Sequence, residues 1–219
     1  MERQDPTTVF EDKPFNLEMP PVDTGGCSIL MLASGRAGKT TALKYIIERY
    51  FKKHSGVIFS ESARAPAYQH MKYPLLPLSS CFIPKIINTA YKINRETKNH
   101  YSFLFILDDC PLVKNDKEIL KLLTIYRNSA VSGIICVQSP TLLNNTVRSN
   151  FTIVMLGSQN STEKIEQTIK AYLRGYFPED WNYERKIKWY RDMTQDHHFL
   201  IINNWSCEVF RTKINLEEL

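Results

Sequence analysis

The chain has 219 residues, 43% of them apolar, and a formal net charge of +5. That length suits one α/β domain with a full core, and the apolar fraction excludes wholesale disorder. Mild basicity permits an anionic partner such as nucleic acid, but many ordinary domains share it. In chain order, residues 1–26 hold prolines 6, 14, 20 and 21 and no period, so an arm laid over the domain is expected, with the domain proper at 27–219. Residues 27–33 form a short apolar run, then comes a glycine loop, then a helical pattern over 39–53. A second strand is predicted at 56–60, and the prolines at 66, 74 and 77 make 61–80 a long surface excursion.

Next, "CFIP" (81–84) reads as a short strand, 86–97 as a helix, and the wholly apolar 103–107 as a strand. A helix is predicted over 116–127, with apolar residues at 119, 120, 122, 123 and 126. Residues 133–137 and 151–156 read as buried strands and 161–173 as a helix, with Thr162 and Glu163 near its N-cap. His197 and His198 read as the start of a strand rather than a metal pair, and "HFLIINNWSCEVFRTKI" as a hairpin turning at 203–206. Apolar strands alternating with helices predict a mainly parallel sheet covered on both faces.

The five cysteines include no C-x-x-C pair and the histidines no H-E-x-x-H spacing, so no structural metal is expected. Cys27, Cys110 and Cys136 lie in or beside apolar runs, which predicts buried reduced thiols. No stretch approaches the ~18 apolar residues of a membrane span, and the charged N-terminus lacks a signal-peptide core. A reducing, aqueous compartment is expected.

Three motifs carry chemistry. In "ILMLASGRAGKTTALKYIIERYF" a strand leads through Ser34, Gly35, Arg36, Ala37, Gly38, Lys39, Thr40 and Thr41 into a helix. This is nearly G-x-x-x-x-G-K-[ST], with Ala33 at the first glycine position. Glycines let backbone N–H groups turn toward phosphate oxygens, and the helix N-terminus adds partial positive charge. Lys39 would face the β- and γ-phosphates of ATP, and Thr40 would offer a hydroxyl to Mg²⁺. Alanine fits at position 33 where φ is negative.

The second motif, "FLFILDDC", ends an apolar strand in Asp108 and Asp109, at the sheet edge where ligands bind in open α/β folds. Asp108 would hold the metal and Asp109 polarise the attacking water; the competing reading is an acidic pair capping a turn before Pro111. The stretch between Lys39 and Asp108 leaves room for an intervening strand, which favours the additional-strand branch of P-loop ATPases over nucleotide kinases. The third, "SGIICVQSP", ends a strand in Gln138, whose amide can bond both water and a phosphate oxygen as a sensor.

With "YRNSAVSGIICVQSP", "NNTVRSNFTIVML" and the closing "HHFLIINNWSCEVFRTK", the chain resembles the FtsK/HerA-type ATPases. It is most like the poxvirus-type genome-packaging ATPases of large DNA viruses and their relatives. The resemblance runs over residues 27–213 and departs at Ala33 and at Asp109, where FtsK and HerA translocases generally have Glu. It implies an α/β P-loop NTPase of the RecA/FtsK-like kind with a C-terminal β-hairpin, working as a homo-oligomeric ring. It implies ATP and Mg²⁺ as cofactors, double-stranded DNA as cargo, a capsid or portal-vertex protein as partner, and a host-cytoplasmic or virion-associated location. In such rings a neighbour's arginine completes the site, and Arg127 and Arg148 stand at the family's positions for it. The sequence does not choose between them. The alternatives are another DNA translocase or helicase-like ATPase, and a nucleotide-binding regulator with little turnover. Basic residues over 84–98 and 164–191 interleave with Tyr and Trp, which suits DNA phosphate contact or solvated helices with aromatics in the core.

Overall fold

A computed structural model describes residues 5–21, 25–60, 68, 71–76, 82–109 and 117–214. Its strands are β1 (Ser28–Leu32), β2 (Ser55–Ser60), β3 (Leu75–Leu76) and β4 (Phe103–Asp108), then β5 (Val131–Val137), β6 (Ile153–Leu156), β7 (His198–Asn203) and β8 (Glu208–Lys213). Among the described residues they form one sheet in the order β3-β2-β4-β5-β1-β6-β7-β8. The first six run parallel, while β7 and β8 add an antiparallel hairpin at the far edge.

β1 lies at the centre, with Ile29 opposite Ile134 of β5 on one side and Ile153 of β6 on the other. Side chains alternate across a strand, so its five buried residues feed two cores. Ile29 and Met31 join Ala42, Tyr45 and Ile46 of helix α2 (Lys39–Tyr50), whereas Leu30 and Leu32 join Leu122, Ile165 and Tyr190 on the opposite face. A strand covered on both faces is apolar at nearly every position, and for that reason the central strands read so plainly in the sequence.

Several elements differ from expectation. The residues of "CFIP" that are described open helix α3 (Phe82–Glu96) instead of forming a strand. Pro84 sits in its first turn, where the missing N–H has no intrahelical role. The helix expected over 116–127 is α4 (Lys117–Thr124), followed by a tight 3₁₀ turn over Tyr126–Ser129 that ends at Ala130, with φ 52°. Helix α5 (Asn145–Arg148) is a single turn capped by Asn144. The helix expected over 161–173 is α6 (Thr162–Thr168), capped by Ser161 Oγ accepting from Lys164 N, and runs on into a wide π turn over Ile169–Leu173. α7 (Tyr183–Thr194) was not separately foreseen. Its Trp189 and Tyr190, with Phe177 and Trp181 before it, are buried in the core, so most of the aromatics in this basic segment are structural. Cys27 and Cys136 are buried free thiols, Cys207 is exposed, and Cys110 and most of 61–80 lie outside the described residues.

The N-terminal segment straps the hairpin side of the sheet. After the one-turn helix α1 (Pro6–Val9), Phe10 packs edge-on against Trp189 and Tyr176, with centroids at 5.8 and 5.1 Å. Lys13 N donates to Arg211 O on β8, and the Arg211 guanidinium grips both carboxylate oxygens of Asp12 at 2.9 and 3.0 Å. Farther on, Phe15 and Leu17 are buried against α2, and Leu17 N donates to Tyr50 Oη at 2.7 Å.

Candidate nucleotide site

The loop that leaves β1 turns through backbone conformations that favour glycine. Arg36 has φ 63° and Gly38, the N-cap of α2, φ 88°. Gly35 and Arg36 are exposed, while Ala37 is buried. Lys39 starts the helix yet is 7% exposed, because its Nζ folds back to donate to Ala33 O at 2.6 Å and Ser34 O at 3.2 Å. The ammonium is thus held inside the loop by two backbone carbonyls. Ala33 is fully buried, and its φ is not in the left-handed region. A Cβ on Gly157 would come within 2.9 Å of the Ala33 methyl, so the two positions share the space of one side chain. Alanine is therefore accommodated at position 33 without a left-handed backbone.

Asp108, Asp109 and Gln138 come together beside this loop. Asp108 ends β4 opposite Cys136 of β5, and one β5 residue separates Cys136 from Gln138. Gln138 Nε2 donates to Asp109 Oδ1 at 3.2 Å, and Asp109 N donates to Cys136 O. Asp109 sits at φ 49°, a left-handed conformation that aspartate tolerates better than most residues and that recurs at functional positions. Asp108 is 3% exposed, and its Oδ1 has no hydrogen-bond partner among the described residues. Burial, then the charge of Asp109, push its carboxyl up to about 6, and Lys39 pulls the other way.

A buried carboxylate oxygen without a partner, near a half-buried threonine in the first turn of α2, suits a hard divalent cation. Asp108 and Thr40 would hold Mg²⁺, which would neutralise charge on phosphate oxygens. Thr41 is exposed on the solvent side of the same turn.

Arg127 and Arg148 lie elsewhere. Arg127 precedes β5 and Arg148 precedes β6, so both are at the N-terminal edge of the parallel strands, opposite the phosphate loop. Strands of this length span about 15–20 Å, which keeps both from the loop of their own chain. They line one cavity of about 950 Å³ together with Lys170, Tyr172, Asn204 and the half-exposed Trp205, among other residues. Among the described residues none that lines it is acidic, and the buried Tyr172 hydroxyl beside it has no partner.

Sequence reasoning passed over three residues at the loop. Ser34 N donates to Ser158 O, just beyond β6, and Ser34 Oγ lies 2.9 Å from Gln159 Oε1 and 3.0 Å from Asn160 Oδ1 while accepting from Asn160 N. One hydroxyl carries one proton and cannot serve both amide oxygens. The network closes when the Gln159 amide presents its otherwise unpartnered Nε2 to Ser34 Oγ. His197, in the turn before β7, packs its ring against Gly38, with Nδ1 3.4 Å from where a Cβ would stand. The rule that ligands gather at the carboxyl ends of parallel strands would have found Gln159 and Asn160.

No protein-family model matches the chain, and no curated protein is similar to it in sequence. Solved structures are similar in fold. B204, the DNA-packaging ATPase from Sulfolobus turreted icosahedral virus, superposes with a TM-score of 0.62 at 15% identity, over 88% of this chain and 100% of that one. The fold is that of a P-loop NTPase. The genome packaging NTPase B204 of Sulfolobus turreted icosahedral virus 2, in complex with ATPγS, gives 0.59 at 16% identity over 86% and 97% of the two chains. The pCW3 conjugation coupling protein TcpA gives 0.62 at 11%, over 86% of this chain and 60% of TcpA. This likeness in fold falls on a DNA-packaging ATPase, as the motif resemblance implied.

Proposed function

We propose that the chain is an ATP-hydrolysing motor that moves double-stranded DNA, and that its cargo is a viral genome drawn into a preformed capsid. The observation that carries this reading is a division of labour across the sheet. One edge holds a phosphate loop with its lysine, two carboxylates and a sensor amide. The other edge holds a cavity with three cations and, among the described residues, no acid, out of reach of that loop. Head-to-tail association of identical subunits brings such unlike edges together and closes into rings.

In this reading Ser34, Gly35, Arg36, Ala37, Gly38, Lys39, Thr40 and Thr41 cradle the triphosphate of ATP. Lys39 supplies a fixed positive charge, and Asp109 takes the proton of the attacking water. Gln138 orients Asp109 through the bond at 3.2 Å and can turn its amide toward the terminal phosphate. Arg127 or Arg148 of the next subunit stabilises charge developing in the transition state. The capsid or portal-vertex partner and a host-cytoplasmic or virion-associated location follow from the resemblance to packaging ATPases. The full-length match to B204 supports packaging over other DNA translocation.

Phosphate release by the purified chain, with and without linear duplex DNA, tests the reading. Hydrolysis should rise with DNA, and the stimulation should shrink as salt rises, because phosphate contacts release counterions. Hydrolysis indifferent to DNA would point instead to a nucleotide-binding regulator.

A further inference from the structure

The phosphate loop has two flanks, and the proposed chemistry uses only one. Asp108, Asp109 and Gln138 end β4 and β5, on one side of β1. On the other side stand the loop after β6 and the turn before β7. If Asp109 is to reach water at the terminal phosphate, that end of the nucleotide faces β4 and β5. The nucleoside end then leaves toward β6 and β7.

In the turn there Asp196 and His197 follow one another in the left-handed region, at φ 53° and 63°, as Lys98 and Asn99 do elsewhere. The turn is locked by His198, whose N and ring Nδ1 both engage Gln195 O, at 3.1 and 2.9 Å. His197 is different. Its ring is exposed, lies against Gly38, and makes no hydrogen bond with any described residue. From behind, Tyr190 Oη donates to Gly157 O at 2.6 Å, pinning α7 and hence this turn to the strand end beside the loop.

We propose that His197 is the nucleoside-contacting residue of this site, its imidazole stacking on the base of the nucleotide held by residues 34–41. The inference rests on reading those residues as the phosphate loop. A flat, unengaged ring on the nucleoside flank is suited to stacking, which tolerates any base and adds affinity without a specific hydrogen bond.

Calorimetric titrations of wild type, His197→Ala, His197→Phe and Lys39→Ala with two probes, Mg·ATP and inorganic tripolyphosphate, test it. His197→Ala should bind ATP about tenfold more weakly and tripolyphosphate as wild type does. His197→Phe keeps a flat ring and should bind both within about twofold of wild type. Lys39→Ala should lose both probes. If His197→Ala binds ATP as wild type does, or weakens both probes alike, the inference is overturned; a phenylalanine that fails to restore ATP affinity overturns it as well. Wild type binding neither probe would remove the phosphate-loop reading itself, and the inference with it.

Discussion

Asp108 is 3% exposed with one carboxylate oxygen unpartnered, whereas its neighbour Asp109 is half-buried and hydrogen-bonded to Gln138. The first is suited to a cation and the second to a water. Asp109→Asn keeps the shape but cannot take a proton, so ATP should still bind while turnover falls by ~10²-fold or more. Normal hydrolysis by that variant would move the base elsewhere. Asp108 also makes a pH prediction for the protein in chelator. Its folded-state value, about 6 against an ordinary 3.8, means that its charge opposes folding. That penalty is absent below the ordinary value, grows as pH rises toward 6, and is constant above it. Asp108→Asn removes it. Urea titrations should therefore show the variant more stable than wild type at pH 7, by on the order of 2–3 kcal/mol, with the gap closing near pH 4.

At the scale of elements, the N-terminal strap holds α7 and the hairpin through Phe10, which is 1% exposed among Trp189 and Tyr176. Phe10→Ala should cost about 3 kcal/mol in urea unfolding, since it empties a closed aromatic pocket. A loss under ~0.5 kcal/mol, the range of ordinary surface changes, would mean that the strap is only loosely applied. The elements that were legible in the sequence are those with one dominant cause. Strands β1, β4 and β5 are largely apolar because both faces are covered. "CFIP" was misread because an apolar triplet closed by proline looks alike as a strand end or a helix first turn. That the loop after β1, the two acids and Gln138 gather at one end of the sheet was legible, because each ends or directly follows an apolar strand. Gln159, Asn160 and His197 were not, since what brings them to the loop is the pairing of β1 with β6 and of β6 with β7. Such neighbours leave no local pattern.

At the scale of the whole molecule, the proposed motor needs two edges of one sheet to meet between subunits. Lys39 is at one edge; Arg127, Arg148 and Lys170 are at the other, gathered in a cavity of about 950 Å³. A Lys39→Ala subunit should fail to bind ATP but keep its cationic edge. A subunit with Arg127→Ala or Arg148→Ala, whichever arginine acts, should bind ATP and fail to hydrolyse it. The most direct test is phosphate release from an equimolar mixture of the lysine variant with each arginine variant, in the presence of duplex DNA. The lysine variant and the variant of the acting arginine should each be inactive alone, and their mixture should regain activity, because some interfaces then pair an intact loop with an intact arginine. Wild-type hydrolysis by both arginine variants, or mixtures that never exceed their components, would contradict a shared site and leave a self-contained nucleotide switch.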